Sequence, residues 1–186
     1  MRKNFGAKSF VFPMPVFILA SYDENGIPNA MNAAWGSVAD TDKVAVYVAH
    51  DHKTTANILA RGAYTLSMAT AAHVLEADYV GVVSGNDVPD KLSHCGLHII
   101  PSEFVDAPLI EEFPMALECR LISYDPESEL MLGEIVNVCA DPSILDDAGK
   151  IDPEKLDPIT FDPVHHTYRR LGDVVGHAFR DGLQLR

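Results

Sequence analysis

Along this 186-residue chain, apolar positions come mostly in short runs or alternate with polar ones, and few recur at helical spacing. Strands are therefore expected to dominate. The first clear element is the unbroken apolar run Val16, Phe17, Ile18, Leu19, Ala20, followed by the turn residues Asp23, Glu24, Asn25, Gly26. Asn-Gly between extended segments is a strong hairpin signal, so the chain should return through residues 29–35. On that return Asn29, Met31, Ala33 and Trp35 face one way and Ala30, Asn32 and Ala34 the other. Residues 44–49 read as a β-branched strand, and 64–68 as another.

Two helices interrupt this pattern. One begins within residues 50–55, carries Ile58 and Leu59 on its apolar face, and stops at Gly62 just after Arg61. The other spans about residues 72–83, where Leu75, Tyr79, Val82 and Val83 make one buried stripe before Ser84, Gly85 and Asn86 close it. Residues 115–124 alternate Leu117, Cys119 and Leu121 against Glu118 and Arg120, as a half-exposed strand would. A reverse turn at 125–128 leads to a long strand at 129–140. From 141 to 163, Pro142, Pro153, Pro158 and Pro163 stand among acids, which suggests an ordered excursion over the core. The expected fold is mainly β with short helices, a small closed or split barrel forming one domain over residues 1–186.

Composition narrows the functional classes. Lys and Arg number 14 against 27 Asp and Glu, a formal charge of -13, which argues against tracking nucleic acid or anionic lipid. No apolar run approaches the roughly 20 residues of a membrane helix, and no signal-like segment follows Arg2 and Lys3, so a cytoplasmic location is expected. Cys95, Cys119 and Cys139 form no CxxC pair, and the histidine pairs lack metal-ligand spacing, so neither a disulfide framework nor a metal site is expected.

Two segments could carry chemistry. The stretch Asn29 to Trp35 combines amides, small residues and the only tryptophan, and could hold a flat heteroaromatic ring; a barrel strand with Ala at crowded positions is the simpler alternative. The stretch His50 to Thr55 crosses from strand to helix, exposing free N–H groups beside Lys53, Thr54 and Thr55. That is a phosphate seat, or an ordinary helix start with Thr as its cap. Lys91 poses the same choice between a phosphate partner and a surface lysine.

The order of these pieces resembles the flavin reductase-like proteins with an FMN-binding split β-barrel, flavoredoxins among them. The resemblance covers nearly the whole chain. It rests on Pro15 to Leu19, the turn at 23–26, Pro28 to Asn32 with Trp35, and His52 to Thr55 with Asn57 and Ile58. Ser84-Gly85 with Asp90-Lys91, Gly96-Leu97, Leu117-Glu118-Cys119, residues 132–136, and Tyr168 with Leu171-Gly172 follow in register.

The resemblance implies that Asn29, Ala30, Met31, Asn32, Ala33, Ala34 and Trp35 line the ring of FMN, with Trp35 bounding the pocket. It implies that His52, Lys53, Thr54 and Thr55 meet the phosphate, that Ser84 and Lys91 complete its neutralisation, and that the chain is a homodimer with residues of both chains at each site, Tyr168 being either a contact from the partner or a packing tyrosine at the end of the proline-rich segment. No GxGxxG motif follows a strand, so NAD(P)H would act directly at the flavin, which itself carries the chemistry. Three readings follow from the resemblance and the chain's charge. They are an NAD(P)H-dependent flavin reductase acting on flavin, ferric chelate or another small acceptor, a flavoredoxin-type carrier docking a redox protein partner, and a non-redox flavin or haem module using His94, His165 or His166.

Overall fold

Two strands that are neighbours in sequence stand at opposite edges of one sheet, and this forces the sheet to curl. The computed structural model describes residues 1–186. The strands are β1 (Met14–Pro15), β2 (Phe17–Tyr22), β3 (Pro28–Ala33), β4 (Gly36–Asp40), β5 (Lys43–Tyr47), β6 (Ala63–Met68), β7 (Ile99–Pro101) and β8 (Pro108–Ile110). After them come β9 (Met115–Asp125), β10 (Leu130–Ala140), β11 (Ile159–Asp162) and β12 (Thr167–Arg170). The helices are α1 (Lys53–Arg61), α2 (Val74–Val82), α3 (Lys91–His94) and α4 (Pro153–Leu156).

The main sheet has seven antiparallel strands in the order β3-β2-β6-β9-β10-β5-β4. Laid flat at about 4.8 Å per strand, its edges would lie roughly 29 Å apart. Only Ala34 and Trp35 join β3 to β4, and three Cα steps span at most about 11 Å. The sheet must therefore roll into a barrel split along the β3/β4 seam. Gly36 makes the corner possible, since a Cβ there would sit 2.7 Å from the Ala45 carbonyl oxygen. At Gly133, beside a register shift in β10, a Cβ would overlap the hydroxyl of the fully buried Tyr64.

The apolar run of β2 is unbroken because both of its faces are covered. Phe17 and Leu19 point into the barrel with Val44, Val46, Ile58, Tyr64, Leu66 and Met131. Ile18 and Ala20 pack outward against Ala77 and Val80 of α2, Leu92, Leu97, Ile110, Phe113 and Ile159. Helix α1 ends at Gly62, which adopts the left-handed conformation at φ 69° and donates to the Ile58 carbonyl.

Three expectations need correction. Leu59 is exposed, and α1 buries Thr54, Thr55, Asn57 and Ile58 instead. In α2, Leu75 and Val82 face outward while Ala77 and Val80 are buried, because the helix approaches β3 through small residues: a Cβ on Gly81 would overlap the Asn32 amide. Glu118 is buried on the barrel's outer wall, since the β7–β8 hairpin covers it; the carboxylate accepts from Ser102 Oγ at 2.5 Å and from the Asn137 amide.

The segment after β10 is ordered, as expected, and returns through α4 into a small sheet, β1-β11-β12. Asp162 is its hub. Burial alone would raise its carboxyl, but donors from the His165 ring, the Val164 and His165 amides and Arg169 outweigh that and hold it well below the usual carboxylate range. The stability this carboxylate contributes is complete above the ordinary value of 3.8 and is lost as pH falls below it. Acid unfolding below about pH 4 should be shallower in Asp162→Asn than in the parent chain, measured by denaturant titration across pH. Parallel slopes would remove this role.

Candidate functional site

The site grows from the start of α1. His52 occupies the N-cap with extended backbone but supplies no side-chain cap, and no acid stands in the first turn. The first N–H groups of the helix thus lack intrahelical partners, and the positive end of the helix dipole is open. Neither threonine caps the helix. Thr55 Oγ1 donates to the Ala49 carbonyl at 2.8 Å, and Thr54 Oγ1 accepts from Asn29 Nδ2 at 2.6 Å.

This helix start opens on a cavity of about 150 Å³ walled by Asn29 and Met31 of β3, by His52, Lys53 and Thr54, and by residues 80–85 at the end of α2. A second space of about 290 Å³ adjoins it, sharing Asn29, Lys53 and Gly85. Asn29 is almost fully buried, and its Oδ1 has no hydrogen-bond partner. A Cβ on Gly85 would overlap that oxygen, so glycine keeps this wall thin.

Lys53 Nζ lies 3.5 Å from Asp23 Oδ2. The Asp23 carboxyl is held below its usual range chiefly by the Ile27 N–H, with the Asn25 N–H and Lys53 adding, against the effect of burial. Lys91 also lines the cavity, yet it is only 2% exposed and its ammonium donates to the Val80 and Val83 carbonyls at 2.8 and 2.7 Å. It therefore caps the C-terminal end of α2, where a cation meets the negative end of the dipole. Burial pulls its pKa down to about 8.

Of the residues singled out in the sequence, the structure brings Asn29, Met31, His52, Lys53, Thr54, Ser84 and Lys91 to one cavity. The others lie elsewhere. Ala30 belongs to the outer core and Ala33 to the barrel interior. Asn32 and Ala34, on the opposite face of β3, line a separate space of about 130 Å³ with Val16, Phe161 and Tyr168. Asn32 Nδ2 donates to the Ala77 carbonyl at 3.0 Å. Tyr168 is tied within its own chain, its hydroxyl donating to Asp78 Oδ1 at 2.7 Å, and burial first and then Asp78 push its pKa up to about 12. Trp35 is 55% exposed on the crossover between the sheet edges. Of the other histidines considered, His165 is engaged by Asp162 and His166 stacks on Phe161.

Sequence reading missed the α2 end, Val80 to Val83, and Gly85. The glycines four apart, Gly81 and Gly85, were the available signal, since each stands where a side chain of β3 approaches the backbone.

The flavin reductase like domain family matches residues 9–156. The chain belongs to that family. This flavin reductase-like chain superposes on the flavoredoxin of Desulfovibrio vulgaris (Miyazaki F) with a TM-score of 0.93 and 38% identity, over 98% of this chain and 100% of that one. A flavoredoxin from Methanosarcina acetivorans gives 0.90 and 26%, over all of both chains. An FMN-binding domain of a flavin reductases-like enzyme from Shewanella baltica OS155 gives 0.77 and 22% over 88% of each, a likeness of fold alone. The curled sheet is the split barrel of these proteins, and the likeness supports a flavin-related redox function. No helix is long and apolar enough to cross a membrane.

Proposed function

We propose that the cavity binds FMN and that the chain is an oxidoreductase of the flavin reductase type, taking electrons from NAD(P)H and passing them to free flavin, a ferric chelate or another small acceptor. The observation that carries this is the uncapped start of α1 with Lys53, which shares one cavity with the neighbouring, unpartnered Asn29 Oδ1. When bound, FMN supplies the one- and two-electron chemistry. The α1 N–H groups and Lys53 hold the phosphate. Asn29 Oδ1, an acceptor, takes a donor from the ribityl chain or the ring rim, and Thr54 locks the Asn29 amide in the orientation that presents it. Met31 and Val82 give the space its apolar side, while Gly85 leaves room for the Asn29 amide in its wall.

At about 150 Å³ this cavity is smaller than the roughly 300–1,000 Å³ typical of small-molecule sites. A second copy of the chain completes it in this reading, and the exposed Val82 at its lip, with the exposed Leu75 near the other end of α2, favours such a homodimer. The three free cysteines suit a reducing compartment such as the cytoplasm. The likeness to two flavoredoxins and the charge of -13 favour a second reading, a carrier that docks a basic redox protein. Anaerobic mixing of the FMN-loaded chain with NADH and with NADPH separates the two. Bleaching with turnover supports the reductase, and inertness toward both supports the carrier.

The phosphate seat has its own test. Lys53→Met should weaken FMN about 10- to 100-fold and leave riboflavin within about threefold, because a charged hydrogen bond of about 1.5–3 kcal/mol is lost only where phosphate is present. Asp23→Asn keeps an acceptor for the Asn25 and Ile27 amides but removes the charge competing for Lys53, so FMN should tighten selectively. Fluorescence titration with both flavins checks both variants, and equal changes for the two ligands would move the phosphate elsewhere.

A further inference from the structure

The candidate cavity does not end at Lys53. Three spaces follow one another back along the β2–β3 hairpin, from the strand toward its turn. On the hairpin side the first, of about 150 Å³, is walled by Met31 and Asn29, and the second, of about 290 Å³, by Asn29, Pro28, Ile27 and Asp23. A third, of about 140 Å³, is walled there by Asp23, Glu24 and Asn25. Lys53 borders all three. A ligand whose phosphate sits at Lys53 and the start of α1 therefore has room to continue toward the turn.

The walls of the second and third spaces dictate what that continuation must offer. Asp23 lines both, and Asp23 and Lys53 are the only charged residues around the second. Asp23 Oδ1 is taken by the Asn25 and Ile27 amides, whereas Oδ2 meets only Lys53 Nζ, at 3.5 Å. The carboxyl is held below its usual range, chiefly by the Ile27 N–H, so at neutral pH it is an anion with one oxygen open to a hydroxyl donor. Once Lys53 pairs with a phosphate, that charge faces the space uncompensated, and Glu24 stands beside it in the third. There α1 shows exposed Ala56 and Ala60 on either side of Asn57, which is 3% exposed and whose Nδ2 has no hydrogen-bond partner. A buried donor is costly unless something supplies its acceptor. The continuation must bring hydroxyls for Asp23, an acceptor for Asn57 and no further negative charge.

We propose that these two spaces take an adenosine linked through its 5′-phosphate, its ribose hydroxyls donating to Asp23 Oδ2 and a ring nitrogen of its base accepting from Asn57 Nδ2. An acid at the ribose hydroxyls repels a phosphate placed on one of them. The site therefore prefers a nucleotide with a free ribose to its 2′-phosphorylated counterpart. Two sources share this chemistry: the adenylate half of FAD, continuous with the flavin phosphate, and NADH brought beside bound FMN. The proposal rests on the flavin reading only in placing a phosphate at Lys53; adenosine binding itself is scored without flavin.

Calorimetric titration of the flavin-free chain with ADP-ribose and with 2′-phospho-ADP-ribose tests the adenosine site. ADP-ribose is expected to bind at least about tenfold more tightly than its 2′-phosphate. Asp23→Asn, which keeps an acceptor for the Asn25 and Ile27 amides, should shrink that ratio to within about threefold. No saturable heat with either probe, equal affinities for the two in the parent chain, or an unchanged ratio in Asp23→Asn would overturn the proposal, and the first two do not depend on the variant's folding. Loading with FMN then separates the sources. Continued binding of ADP-ribose assigns the adenosine to NADH, which the chain should then oxidise in preference to NADPH. Displacement of ADP-ribose by FMN assigns it to FAD, which should then bind more tightly than FMN. If ADP-ribose binds and neither flavin does, the flavin reading fails and the adenosine site stands.

Discussion

Lys91→Ala is expected to lower the stability of the chain by about 2–5 kcal/mol and to weaken FMN and riboflavin together. The side chain is buried and bonds two main-chain carbonyls, those of Val80 and Val83, at the end of α2. Each carbonyl left without a partner costs roughly 1–3 kcal/mol, and the vacated methylenes add a cavity. Residues 80–83 are also a wall of the candidate site, so both ligands lose the same support. Urea unfolding with parallel titrations of the two flavins measures this. Unchanged stability with a selective loss of FMN would return Lys91 to the phosphate, the role its sequence context implies.

Gly85→Val should abolish measurable binding of both flavins, a loss of more than about 100-fold. The added Cβ overlaps Asn29 Oδ1 and stands 3.3 Å from Lys53 Cγ, so the substitution disturbs two neighbouring groups of the site at once. Asn29 can yield only by giving up its 2.6 Å bond to Thr54. Gly85 does not have a positive φ, so the effect is steric and not a matter of backbone strain. Flavin fluorescence quenching gives the affinity, and values within threefold of the parent chain would show that the ligand lies elsewhere.

Local chemistry made much of the fold legible. The turn at Asp23 to Gly26 forms with Asp23 accepting from Asn25 and Ile27, and Gly62 ends α1 where its left-handed conformation is needed. The long strands β9 and β10 alternated clearly enough to be bounded within about two residues. What escaped was set by neighbours distant in sequence. Large residues on α2 suggested a buried stripe, but the helix docks through Ala77 and Gly81 because β3 runs so close beneath it. Glu118 looked solvated until a hairpin with little periodicity covered it.

The site divides in the same way. Lys53 and Thr54 were visible because a strand-to-helix crossing has a recognisable composition. Alternation put Asn29 and Asn32 on opposite faces of β3, as found, but could not show that they enter separate spaces, so that only Asn29 lines the candidate cavity. Lys91 looked like a free cation, and only the arrangement of α2 and α3 reveals that its donors are taken.

One titration tests the flavin site most directly. Calorimetry of the purified, flavin-free chain with FMN should give saturable heat at one site per chain, tighter for FMN than for riboflavin, with the difference shrinking as inorganic phosphate is added. No saturable heat with either flavin would contradict it.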